Sequence, residues 1–246
     1  MKKMNWRLRL GIGLVLLSAA LYFGHWLIYR DAHHIFIYLI GDIAFIPVEV
    51  LLVTLIIHEV LAAREKRAML QKMNMVIGAF FSEVGTRLLK DLAAFDADAA
   101  QTASQLVVSG KWTDAEFRQA RTHRSGCECK MDCSRGSLAE LKGFLVGKRS
   151  FLLGLLQNPN LLEHETFTDL LWAVTHLAEE LDCRGDVRQL SPADSAHLAG
   201  DIKRAYALLI AEWLDYMKHL KTSYPYLFSL AVRTNPFDPA ATPEVK

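Results

Sequence analysis

The chain has 246 residues, 52% of them hydrophobic, and its 28 basic and 27 acidic side chains leave a formal charge of +1. That apolar share exceeds an ordinary soluble domain's, and the balanced charge excludes both a disordered polyelectrolyte and the basic footprint of a nucleic-acid binder. Four cysteines are too few to staple a chain of this length as a disulfide scaffold.

The apolar excess has one address. Between Leu10 and Ile57, 34 of 48 residues are apolar. Two segments, 10–29 and 35–57, are each long enough as helices to cross a hydrocarbon core of about 30 Å. A cleavable signal peptide is the alternative for the first, with Ser18-Ala19-Ala20 as its cleavage site. The apolar run continues through Leu21-Tyr22-Phe23, however, and a second span follows after the short loop 30–34. The pattern therefore predicts a transmembrane hairpin over residues 1–58.

Orientation follows from flanking cations. Lys2, Lys3, Arg7 and Arg9 precede the first span, and Arg64, Lys66, Arg67 and Lys72 follow the second, whereas the loop holds Arg30 beside Asp31. Both termini are expected in the cytoplasm of a bacterial-type inner (plasma) membrane, with loop 30–34 outside.

The rest of the chain shows helical periodicity. Leu61, Met69, Met73, Val76, Phe80, Val84 and Leu88 extend the second span into one long helix to about Leu92. Further helices are expected from Thr113-Asp114 to about His123, from the Ser137/Glu140 capping box to about Gln157, over 166–182, and from Ser191-Pro192 to about Thr222. Asn158-Pro159-Asn160, Arg184-Gly185-Asp186 and Tyr224-Pro225-Tyr226 are the breaks between them. The fold class is all-α: a membrane hairpin, a cytosolic helical bundle over 59–234 with a cysteine-containing loop at 124–136, and an extended proline-containing tail at 235–246.

Three constellations carry possible chemistry. The first lies within the spans. Asp42 and Glu49 are two turns apart and share one face of the second span, with Pro47 between them. Matching depth across the hairpin sets His25 level with Asp42 and Ser18 level with Glu49. Ionisable groups at this depth line a bundle interior or a water-filled path. One reading is a cation path in a homo-oligomer, with Val53, Ile56 and Val60 as an apolar gate. The other is a polar clamp between helices. Two spans with acidic residues and a proline in the second resemble the pore family of the mitochondrial calcium uniporter. The match covers only Asp42, Ile43, Pro47 and Val48, the family's compact Asp-x-x-Glu-Pro turn is absent, and no family is recognised on it.

The second constellation is Cys127-x-Cys129-x3-Cys133, preceded by His123 and joined by Cys183. In a reducing cytosol these residues suggest zinc or an iron–sulfur cluster, a redox-responsive thiol group, or inert loop cysteines. Arg124, Lys130 and Arg135 are expected to lower thiol pKa values.

The third is a set of helical pairs: His176 with Glu180, His197 with Asp201, and Glu212 with Asp215 and His219. These fit a solvated, i,i+4-paired face, with a di-metal centre as the alternative. Aromatics at helical spacing are core residues, and no phosphate-binding loop or nucleophile elbow is present. The sequence is not read as an enzyme. Its expected function is a homo-oligomeric, cation-preferring channel gated by the cytosolic bundle. The alternative is a membrane-anchored sensor or scaffold, metal- or redox-responsive, that conducts nothing. Lipids, further copies of the chain and cations are the expected partners.

Overall fold

The structure, a computed structural model, describes residues 6–126, 130–159, 161 and 164–245. The described residues are predominantly helical, with no strand; an isolated antiparallel bridge joins Asp96 to Met131. The chain divides into two compact units, Met1–Lys66 and Arg67–Lys246.

The first unit contains α1 (Trp6–Tyr29) and the larger part of α2 (Ala32–Phe80), joined by Arg30 and Asp31 alone. The expected five-residue loop is shortened because each of these two residues does a capping job. Arg30 takes a positive φ of 53° that ends α1, and its N–H donates to the Trp26 carbonyl at 2.8 Å. Asp31 then accepts from the N–H groups of His33 (2.9 Å) and His34 (3.2 Å), which caps α2. Arg9–Tyr29 and Ala32–Lys66 are long and apolar enough to cross a membrane, and their most apolar stretches bury nothing. Pro47 is accommodated inside α2.

In the second unit the end of α2 supplies Met73, Ile77 and Phe80 to the core. The expected long helix runs on through a π turn (Phe81–Gly85) and α3 (Thr86–Ala93). At the turn both the N–H and the hydroxyl of Thr86 donate to the Phe81 carbonyl, five residues back. The wide turn lets Phe80, Phe81 and Val84 all enter the core, beside Leu88, Leu89 and Leu92.

Beyond it come α4 (Ala99–Leu106), α5 (Asp114–Gly126), α6 (Leu138–Gly147), α7 (Arg149–Leu156), α8 (Glu165–Asp182), α9 (Pro192–Ser223) and α10 (Pro225–Arg233). The expected capping bonds are present: Ser137 Oγ accepts from Glu140 N–H and Ser191 Oγ from Asp194 N–H, both at 3.2 Å. The helix expected from Ser137 to about Gln157 is instead two, because Lys148 leaves helical geometry (φ −99°, ψ 2°) and ties its ammonium to Glu83 at 2.8 Å.

The tail expected to be extended is bent and partly buried. Asn235 and Phe237 are nearly inaccessible, and Phe237 meets the Trp213 ring edge-on at 5.2 Å. Burying an aromatic ring against the core outweighs the solvation the prolines suggested.

The centre of the unit is the α8–α9 pair. Residue numbers rise along one helix as those of their partners fall along the other: His164 meets Glu212, His176 meets Asp201, Glu180 meets His197 and Arg184 meets Asp194. This antiparallel register buries Leu170, Leu177 and Leu181 against Leu198, Ile202 and Leu209.

Candidate functional site

Several polar residues of the apolar hairpin gather between α1 and α2. Ser18, Tyr22, His25, Tyr38 and Asp42 line an open groove of about 460 Å³. Tyr22 hydroxyl donates to Asp42 Oδ2 at 3.5 Å, and His25 stacks parallel to His34 with ring centroids 6.1 Å apart. His25 Nδ1 is buried without a hydrogen-bond partner. Ser18, expected level with Glu49, lines the same groove as Asp42. Glu49 is exposed and, among the described residues, makes no hydrogen bond or ion pair. Val53, Ile56 and Val60 are exposed as well.

Of the cysteine cluster, Cys127, Cys129 and the side chain of His123 lie outside the described residues. Cys133 and Cys183 are free thiols. Cys133 Sγ donates to the Ser195 carbonyl at 3.4 Å, in the first turn of α9. Its pKa is raised, not lowered: burial disfavours the thiolate, and Asp132 adds to the effect. The direction at Cys133 is set by desolvation, and among the described residues the only opposing effect is its bond to the Ser195 carbonyl, not a neighbouring cation.

The helical His/carboxylate pairs give the clearest convergence. The α8–α9 register brings the i,i+4 pair His176/Glu180 against the i,i+4 pair His197/Asp201. Asp201 Oδ2 stands 3.4 Å from His197 Nε2 and 3.7 Å from His176 Nε2. Glu180 Oε2 lies 3.5 Å from His197 Nε2, and Oε1 lies 3.8 Å from His176 Nε2. Asp201 is buried, whereas both imidazoles are about half exposed, so the cluster opens to solvent on one side.

Two arginines brace it. Arg204 reaches Asp201 Oδ1 at 3.2 Å. Arg184 donates to Glu180 Oε2 at 2.6 Å and forks onto both Asp194 oxygens. The Arg184 guanidinium holds the carboxyls of Glu180 and Asp194 below their usual range.

Glu212, Asp215 and His219 do not join this group. Glu212 is buried further along α9 and faces His164 Nε2 at 3.7 Å, while Asp215 pairs with Arg121. Burial raises the pKa of Glu212 and lowers that of His219. His164 also caps α8, its Nδ1 accepting from Phe167 N–H at 3.3 Å. An accepting Nδ1 leaves the ring proton on Nε2, the atom turned toward Glu212. Sequence reasoning passed over His164, Arg184 and Tyr22. For His164 there was a signal, a side-chain acceptor just ahead of an apolar helix; Arg184 and Tyr22 matter only through distant partners.

Comparison with known proteins agrees with the two-unit division. Residues 2–61 match the family model described as "MJ1433, N-terminal helical domain", and residues 69–233 match "Uncharacterized protein MJ1433, C-terminal helical domain". The protein named "Uncharacterized protein MJ1433" from Methanocaldococcus jannaschii is 43% identical over 238 residues, which cover 97% of this chain and 96% of that one. No solved structure matches. Matched in both helical domains and along nearly its whole length, the chain belongs to the MJ1433 family.

Proposed function

We propose that the protein is a membrane-anchored sensor or scaffold, with α1 and α2 crossing the plasma membrane as a hairpin and the second unit facing the cytoplasm. One observation carries this reading: the two N-terminal helices bury none of their most apolar stretches, while the second unit has a complete core of its own. Apolar area left in water costs roughly 25 cal/mol per Å², so such surfaces need lipid or protein cover. The cations at Arg9, Arg64 and Lys66 favour cytoplasmic termini. The Tyr22–Asp42 contact supports a polar seam that locks the hairpin, because a carboxylate satisfied by α1 is turned away from any central pore. Self-association would cover Glu49 and use Ala20-x3-Gly24 for close helix approach.

A second reading, a cation channel, is favoured by Glu49 itself, an exposed carboxylate among apolar neighbours on the span that would line a pore. Its gate would be Val53, Ile56 and Val60.

Two measurements test these readings. After alkaline extraction the protein should stay in the membrane pellet, and His33→Cys should react with an impermeant maleimide in intact cells while the native cysteines react only after lysis. Release by alkali would remove the anchor reading. Proteoliposomes should pass no cation current; a current abolished by Asp42→Asn or Glu49→Gln would establish the channel instead.

A further inference from the structure

The His/carboxylate cluster of α8 and α9 has spacings that direct hydrogen bonding does not explain. Imidazole–carboxylate bonds close to about 2.7–3.2 Å. Here four N···O separations fall between 3.4 and 3.8 Å. Ligand atoms bound at about 2.0–2.2 Å to one tetrahedral ion lie about 3.3–3.6 Å from each other. The two His197 separations, 3.4 and 3.5 Å, match that spacing, whereas those of His176, 3.7 and 3.8 Å, lie just outside it.

Asp201 Oδ2 gives the independent signal. It is buried, directed between two imidazoles, and has no hydrogen-bond partner. An unpaired buried carboxylate oxygen is costly unless a cation completes it. One ligand atom each from Glu180, His197 and Asp201 already lies within 4.8 Å of the others. Arg204 fixes the second Asp201 oxygen and Arg184 steadies Glu180, as outer residues orient carboxylate ligands. Asp194 engages Arg184, so its positive charge is matched. An imidazole with two carboxylates, and a second imidazole alongside, suits borderline first-row ions and not the hard, all-oxygen preference of calcium or magnesium.

We propose that Glu180, His197 and Asp201 bind one divalent transition-metal ion of the zinc class, with His176 beside them. The half-exposed imidazoles give the ion its way in. The site deepens the sensor reading by naming its signal, yet it stands on α8 and α9 alone and does not depend on membrane insertion.

The test uses the full-length protein in detergent, stripped by chelator dialysis, titrated with Co²⁺ under visible absorption and then competed with Zn²⁺. One Co²⁺ per chain is expected, with ligand-field bands and no thiolate-to-cobalt charge transfer. His197→Ala, at a half-exposed position, should weaken binding about tenfold or more, and His176→Ala by less. Asp201→Asn should do the same with helix content unchanged by circular dichroism. The proposal is overturned by absence of saturable binding, by a titration indifferent to all three variants, or by a thiolate spectrum that assigns the ion to the cysteines. Failure of alkaline-resistant membrane attachment would strike the anchor reading and leave this result untouched.

Discussion

Asn235 Nδ2 donates to the Leu106 carbonyl at 3.0 Å, a buried bond that ties the residues after α10 to the end of α4. The same side chain accepts from Phe237 N–H at 2.9 Å, so one amide satisfies two backbone groups that water cannot reach. Asn235→Ala should destabilise the second unit by about 1–3 kcal/mol, the cost of leaving buried partners unpaired. Denaturant titration followed by tryptophan fluorescence will show it, because Trp213 packs on Phe237. An unchanged midpoint would mean that the tail unfolds separately.

Two glycines on consecutive helical stretches should respond to alanine in opposite directions. At Gly85 a Cβ would sit 2.5 Å from Phe81 Cδ1 and 2.9 Å from Phe80 Cε1. Both rings are buried and cannot retreat, so Gly85→Ala should cost about 1–3 kcal/mol. At Gly78 the nearest atom is the Tyr216 hydroxyl at 3.6 Å, an ordinary contact. Gly78→Ala should gain up to about 1 kcal/mol from helix propensity. Thermal melts of the two variants side by side check the contrast; equal behaviour would count against the packing described at the π turn.

Glu212 introduces a pH dependence of definite sign. Its pKa is raised in the folded state, chiefly by burial. The folded protein thus holds the Glu212 proton more tightly than the unfolded chain does. Its stability contribution is full below the ordinary glutamate value of 4.5 and is lost as pH rises through the raised folded value. Glu212→Gln should remove that slope, raising the melting temperature at pH 8 relative to wild type more than at pH 4. Parallel wild-type and variant curves across that range would refute the assignment.

Arg184 joins the end of α8 to the start of α9 through Glu180 and Asp194, with Nε and Nη2 both on Asp194. Lysine retains the charge and loses the fork. Because Asp194 is one-third exposed, Arg184→Lys should cost no more than about 1 kcal/mol, and molar salt should narrow the gap. A denaturation series with and without salt measures both.

What the sequence disclosed depended on whether the information was local. Ser191-Pro192 and the Ser137/Glu140 box announced their helices because caps are built from adjacent residues. α4 went unseen: AAQTASQL has little apolar periodicity, and its place is set by Thr102 bonding to buried Asp96. α10 was hidden behind Tyr224-Pro225, where a proline taken as a stop occupies the first turn of a new helix. The π turn leaves no mark in a continuous helical pattern. For the candidate metal site, each i,i+4 pair was visible alone. Their meeting was not, since it depends on the register between two helices and that register is fixed by the leucine packing beneath them.

The π turn also changes what kind of alteration this helix tolerates. With an extra residue held in the turn, everything from Thr86 onward is phased one step behind an uninterrupted α-helix. Deleting one residue there would let the backbone close into regular α-geometry with its hydrogen bonds intact and with α3 still facing the core. Closing the turn at its full length, by contrast, would turn α3 by about 100° and swing Leu88, Leu89 and Leu92 away from the core. At Phe81–Gly85 the helix can thus shed one residue without losing its core face, and an alignment of the family should place single-residue gaps there more readily than elsewhere along the helix.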